Sequence, residues 1–188
     1  MKEHLHKISL FVKNLDNEIL SVVQTISTTK HLKKGEYLLR HDEVCRHSYW
    51  IEQGVLRKFY VHEGKEHTTE LLFENDIAVS LASYSLQKPG REYIQAITEA
   101  VVSQTDFASF QTAKKVYPQL MEFDLLMTEY HAVWLEKRLY EFHTLDATQR
   151  YKLLLQEHPH ILHTVPLTYI ASYLGISLET LSRIRAKI

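Results

Sequence analysis

The stretch Leu167–Ile188, LTYIASYLGISLETLSRIRAKI, decides how the rest of the chain is read. Its apolar residues Ile170, Leu174, Ile176, Leu181 and Ile184 fall where two short helices crossing steeply turn inward. Ala171 suits the crossing point, where a larger side chain would push the helices apart. Gly175 stands where the first helix must end in a left-handed residue, and glycine adopts that conformation at little cost. Ser177 is placed to cap the second helix, and Glu179 puts a negative charge in its first turn. The pattern predicts a helix-turn-helix. Its second helix then shows Leu178, Glu179, Thr180, Ser182, Arg183 and Lys187 outward. Such a helix reads bases in the major groove from its N-terminal half. Arg183 can donate two hydrogen bonds to guanine, and Glu179 can accept one from cytosine. Ser177, Thr180, Arg185 and Lys187 suit phosphate contacts, which position without reading sequence. The competing interpretation is a helical hairpin that only packs on something else.

Composition limits the alternatives. The chain has 188 residues, 45% hydrophobic and 24% charged, with a formal net charge of −1. There is no global basic field, so any DNA contact is local, and the basic residues of the last segment supply it. A single cysteine, Cys45, precludes an intrachain disulfide and a four-cysteine iron–sulfur sensor, which fits a cytoplasmic protein. No signal peptide or membrane span is expected.

Residues 4–28 read as one or two short helices, with Asn14 or Asp16 as a cap. From about His31 the apolar period changes to two. Candidate strands are Glu36–Arg40, Ser48–Glu52, Val55–Val61, Glu66–Phe73, Tyr93–Ile97 and Ala100–Thr105, with turns at Gly35, Gly54, Glu63–Gly64–Lys65 and Asn75–Asp76. Short strands so punctuated predict an antiparallel sandwich or barrel. Phe107–Tyr117 reads as a helix capped by Asp106. Pro118 opens a long helix to about Thr144, spanning about 40 Å at 1.5 Å per residue. Leu120, Phe123, Met127, Tyr130, Trp134, Leu135, Arg138 and Phe142 lie near one stripe of it. A helix of that length predicts a partner, and a homodimer suits the two-fold symmetry of DNA half-sites. Leu145–Gln156 continues as a helix capped by Asp146 and ended by His158–Pro159–His160. The expected division is a β domain over 1–117, a long helix over 118–144 and a helix-turn-helix over 145–188, an α+β chain.

This order resembles that of the cyclic AMP receptor protein and fumarate–nitrate regulator (Crp/Fnr) family of bacterial transcription regulators. The residues that carry the resemblance are KKGEYLLRHDEV (Lys33–Val44), YWIEQGVLRKFYV (Tyr49–Val61) and the terminal motif, over roughly residues 10–188. The resemblance implies a cyclic-nucleotide-binding-like β-roll (a jelly roll) as sensor, a dimerising helix, a winged helix-turn-helix, double-stranded DNA as partner, and contact with RNA polymerase. It assigns base reading to Glu179 and Arg183 and phosphate support to Ser177 and Thr180. Two features depart from the family. Leu178 occupies a slot often held by arginine or another polar residue, and can touch a thymine methyl but not donate to guanine. Little sequence follows the second helix to form a wing.

In nucleotide-binding members a Gly-Glu pair holds the ribose and an Arg-Ser pair the cyclic phosphate. Here those slots fall near Val79–Ser80 and near Gly90–Arg91 or Arg91–Glu92. A missing carboxylate at the first and Glu92 at the second argue against a cyclic nucleotide, because an acid beside a phosphate repels it. An alternative is a small effector held by a shifted pocket at Ser80, Arg91, Tyr93, Tyr130 and Trp134, with Arg91 as the anion ligand. Twelve histidines invite a metal, but His158, His160 and His163 stand with no acidic or cysteine partner beside them. The expectation is no metal and no resident cofactor. No nucleophile elbow, P-loop or dinucleotide fingerprint is present, so no enzyme is expected.

Overall fold

A computed structural model describes residues 17–187. The chain is α+β. Helix α1 (Asn17–Thr25) precedes β1 (Ser27–Leu32), β2 (Tyr37–Leu39), β3 (His47–Gln53), β4 (Leu56–His62), β5 (Lys65–Leu72) and β6 (Ile77–Ala78). Helix α2 (Leu81–Leu86), β7 (Glu92–Ala96) and β8 (Ala100–Asp106) follow. The chain ends in α3 (Phe107–Val116), α4 (Pro118–Thr144), α5 (Ala147–Glu157), α6 (Ile161–Thr164), α7 (Leu167–Leu174) and α8 (Leu178–Arg185). The strands form two four-stranded sheets, in the orders β1-β8-β3-β6 and β2-β7-β4-β5. This is a jelly roll, the β-roll that the resemblance implies, within the antiparallel sandwich class that the punctuated period-two pattern predicts.

Six expected strands are present, with ends moved by at most one residue. Two strands, β1 and β6, and the short helices α2 and α6 were not anticipated. Ser27–Leu32 is mostly polar and exposed, so hydrophobic alternation does not mark it. Strand β6 has only two residues. Helix α1 falls within the predicted helical region, and the residues before Asn17 lie outside those described.

The chain forms two compact units. One contains Thr105–Leu145 together with the described residues up to Thr28; the other contains Thr29–Gln104 and Asp146–Ile188. In the first, Asp106 caps α3 by accepting from the Ser109 amide at 2.9 Å, and Pro118 occupies the first turn of α4. Ile19, Ala113 and Leu120 form its small core. The faces of α4 separate more finely than the single stripe expected. Leu120 and Glu141 are buried, whereas Met121, Leu125, Thr128, Ala132, Leu135, Leu139 and Phe142 are all exposed. These seven recur at alternating spacings of four and three residues.

In the second unit, the β4–β5 hairpin turns on Glu63 and Gly64, both with positive φ (50° and 73°), as a two-residue type I′ turn requires. His62 pairs with Lys65 across it. The core of this unit is shared: Val55 and Ile97 of the jelly roll pack in one cluster with Tyr151, Leu154, Ile161, Ile170, Leu174 and Leu181 of the C-terminal helices. Asp146 starts α5 with a reciprocal capping box, accepting from the Gln149 amide at 2.8 Å while Gln149 accepts from its own at 2.9 Å.

Gly54 sits between β3 and β4 at φ +96°, and an added Cβ would lie 2.4 Å from the Glu99 carbonyl oxygen and 2.8 Å from the Ala100 Cα. Both obstacles are backbone. Gly54→Ala is therefore expected to cost about 2 kcal/mol or more, read as a lower midpoint in urea unfolding; a change below about 0.5 kcal/mol, the scale of a neutral surface substitution, would contradict the close approach.

Candidate nucleic-acid interface and sensor interior

The sequence motif folds as a helix-turn-helix. Helix α7 ends on Gly175 at φ 68°, ψ 34°, the left-handed cap expected of it. Ser177 caps α8, its hydroxyl accepting from the Thr180 amide at 3.1 Å. Ile170, Ala171, Leu174, Leu181 and Ile184 are buried, and Ile176 is partly buried. The other side of α8 is left to solvent. Ser177, Leu178, Glu179, Ser182, Arg183, Arg185 and Lys187 are exposed, and Thr180 is half-buried. Leu178 is 43% exposed, an apolar side chain among polar ones in the first turn. Arg183 donates to Glu179 at 2.8 Å, and both side chains remain open to solvent. An exposed pair of this kind contributes little to stability, so a competing ligand can separate it at small cost. No strand follows α8 among the described residues.

Of the residues expected around an effector, Ser80, Arg91 and Tyr93 lie in the jelly roll, but they do different things. Tyr93 stacks on Phe59 at 4.8 Å. Arg91 is exposed, 5.6 Å from the Tyr60 ring centroid. Ser80 is buried and donates to Glu92 at 2.5 Å. Tyr130 and Trp134 stand on α4, in the other unit, where Trp134 stacks on His131 at 5.8 Å.

Sequence reasoning missed the residues that hold this interior together. Lys58, on β4, is 3% exposed. Its ammonium pairs with Glu70 of β5, lies 3.9 Å from a Glu92 oxygen and donates to the Val79 carbonyl at 3.2 Å. The signal was available in the pattern: two adjacent cations, Arg57 and Lys58, in a strand flanked by Leu56, Phe59 and Val61, with glutamates in the next strand. Ser83 adds a neutral link, accepting from the Cys45 amide at 2.9 Å and donating to the Lys88 carbonyl at 2.5 Å. Gly90 leans close to this pair, where an added Cβ would lie 3.0 Å from the Ser83 Cβ and 3.3 Å from the Ser80 Oγ. Burial pushes the Cys45 thiol and the Tyr49 phenol up, so both are neutral near pH 7. Burial also raises Asp76 to about 6, against the Phe73 amide that donates to it at 2.8 Å. Among the described residues no group of three or more His, Cys, Asp or Glu could hold a metal ion.

Residues 29–115 match the cyclic nucleotide-binding domain family. Three solved structures are similar over nearly the whole chain. FixK2 from Bradyrhizobium japonicum has a TM-score of 0.75 at 19% identity, covering 86% of this chain and 84% of that one. A CooA variant from Carboxydothermus hydrogenoformans has a TM-score of 0.68 at 19% identity, covering 95% and 82%. A protein from Eubacterium rectale described as a transcriptional regulator of the Crp/Fnr family has a TM-score of 0.70 at 19% identity, covering 93% and 83%.

This is the Crp/Fnr fold.

The family resemblance drawn from the sequence is thus borne out in architecture: the cyclic nucleotide-binding domain, the long helix and the helices after it. No curated protein matches the sequence. No helix among the described residues is long and apolar enough to cross a membrane. Within the Crp/Fnr fold, the charged groups inside this jelly roll pair with one another. Lys58→Met would leave Glu70, itself 7% exposed, buried without its cation. The expected loss is about 3 kcal/mol, and adding Glu70→Leu should recover most of it. Chemical denaturation of the two variants checks this, and equal stability of Lys58→Met and the unaltered chain would show that the pair is solvated.

Proposed function

We propose that the chain is a sequence-specific, DNA-binding transcriptional regulator of the Crp/Fnr type, acting as a homodimer in the cytoplasm. The observation that carries this reading is α8. Its apolar positions are buried, while Leu178, Glu179 and Arg183 project together from its exposed face. Arg183 is the guanine ligand and Glu179 the cytosine acceptor. Leu178 is assigned to a thymine methyl, and Ser177, Thr180, Ser182, Arg185 and Lys187 to the flanking backbone. The Crp/Fnr fold supports the reading, since one similar structure is described as a transcriptional regulator. RNA polymerase is the further partner that this role implies. A regulator of this type has no catalytic step, and none is assigned.

The dimer is assigned to α4. The spacing of Met121, Leu125, Thr128, Ala132, Leu135, Leu139 and Phe142 is that of the a and d positions of a heptad repeat, exposed along the whole helix. A seam with this period matches a second copy of itself better than a flat or irregular surface. Leu135→Glu combined with Leu139→Glu is expected to give monomers in sedimentation at micromolar concentration. A double variant that stayed dimeric would place the interface elsewhere.

Cyclic AMP is not assigned as the effector. Glu92 stands in the region where the resemblance places the cyclic phosphate, with Ser80 donating to it at 2.5 Å. The other reading, an effector held near Arg91, draws on the family match over residues 29–115 and the exposure of that guanidinium. Thermal shift with cyclic AMP and cyclic GMP at millimolar concentration separates them: stabilisation by either nucleotide would favour the responsive reading.

Selection of binding sites from a random DNA pool tests the main proposal. Enrichment of a palindrome is expected, and Arg183→Ala should weaken binding to that site by about 1–3 kcal/mol while relaxing one base preference. Equal weakening on specific and random DNA would argue against base reading. Absence of binding even at low salt, where phosphate contacts are strongest, would leave α7 and α8 as a packing hairpin.

A further inference from the structure

Strand β5 is an edge strand of its sheet, in the order β2-β7-β4-β5. An edge strand presents unpaired backbone groups. Two of those on β5 are met by one side chain of α7. The Ser172 hydroxyl accepts from the Thr68 amide at 2.8 Å and donates to the Glu66 carbonyl at 2.9 Å. One turn earlier on the same helix, Tyr169 covers Arg57, whose guanidinium carbon lies 3.7 Å from that ring and 3.9 Å from the Phe59 ring. The guanidinium is fixed in its own plane as well. It donates to Gln95 of β7 at 3.0 and 2.7 Å and to Glu66 of β5 at 2.6 Å. Helix α7 is therefore joined to β5 directly, and to β4 and β7 through Arg57.

The next residue on β4 is Lys58, whose side chain joins Glu70 and approaches Glu92. Adjacent residues of a strand point to opposite faces of a sheet. The charged cluster and the attachment of α7 thus lie on opposite faces of the same two strands. A bulge in the β4–β5 ladder falls between Lys58 and Phe59, just where one set of contacts gives way to the other.

We propose that Ser172 and Tyr169 form a latch through which the β4–β5 pair positions the helix-turn-helix. A rearrangement of the Lys58–Glu70–Glu92 cluster then reaches α7 through the sheet, and the hairpin moves with β5 rather than independently about the connection at Asp146. The inference concerns how the reading helix is held, and its test needs no DNA, so it stands or falls separately from the proposed function.

Amide hydrogen exchange on the full-length chain provides the test. In the unaltered protein the Thr68 amide should be protected although it lies on an edge strand. In Ser172→Ala its exchange should accelerate by about tenfold or more, with the β3 amides of Tyr49 and Ile51 unchanged. Ser172→Thr, which keeps the hydroxyl, should restore protection. Glu92→Gln, which alters only the charged cluster, should change exchange at the α7 amides of Ala171 and Leu174. Unchanged Thr68 exchange in Ser172→Ala would overturn the latch, as would a uniform acceleration across Thr68, Tyr49 and Ile51. Unchanged α7 amides in Glu92→Gln would overturn the coupling to the cluster.

Discussion

Strand β4 carries two cations, Arg57 and Lys58, side by side into places that exclude water, and each depends on a carboxylate of β5. They are 2% and 3% exposed. Removing such charges from water is costly and is offset only when the partners are in place. Glu66 and Glu70 meet that requirement only in the observed register, in which Lys58 faces Glu70 and the strands run on to His62 and Lys65 at the turn. A slip of one residue would exchange the faces and leave both cations opposite the wrong neighbours. The hydrophobic residues of the hairpin favour burial, but it is the charges that select one register. The positive φ of Glu63 and Gly64 fixes the turn from the other end, so the pairing is specified twice.

Much of this architecture is legible from residue patterns. The six anticipated strands follow from glycines that interrupt apolar alternation, the long helix from Pro118 and the absence of a breaker before Thr144. Gly175, Ser177, Asp106 and Asp146 take the cap positions their side-chain chemistry favours. What was not legible follows from short length or tertiary context. Strand β1, STTKHL, buries little apart from Leu32, so its strand character comes from pairing rather than from its own sequence. Helix α2, LASYSL, has too few residues for a helical period to emerge.

The two parts of the candidate site differed in legibility for a physical reason. A helix-turn-helix is local: its inward and outward positions lie within some twenty residues, so helical spacing alone separates Leu181 and Ile184 from Glu179 and Arg183. The interior of the jelly roll is assembled from residues far apart in the chain. Lys58, Ser80 and Glu92 come from β4, the entry to α2 and β7, and nothing in their local sequence indicates that they meet. Glu92 was noticed only as an acid in a loop. Its hydrogen bond from Ser80 and its approach to Lys58 make it a constituent of the folded interior.

The long helix shows how one periodicity can conceal another. The stripe expected from the sequence ran through Leu120, Phe123, Met127, Tyr130, Trp134, Leu135, Arg138 and Phe142. All but Leu135 and Phe142 are buried or half-buried, and Leu120 belongs to the core of its own unit. The exposed set begins one residue later, at Met121, and repeats at four and three to Phe142. A helix with a single apolar face would satisfy its domain and have nothing left over. An amphipathic helix of 27 residues with a second, solvent-facing heptad seam has a face that its own unit does not use. Large apolar side chains such as Met121, Leu125, Leu135 and Leu139 would cost solubility if they stayed in water. Their strict 3.5-residue period is the geometry in which one helix covers another. Sequence pattern points to α4 as the helix that would meet a second copy, and burial picks out the exposed heptad residues as those proposed to meet there.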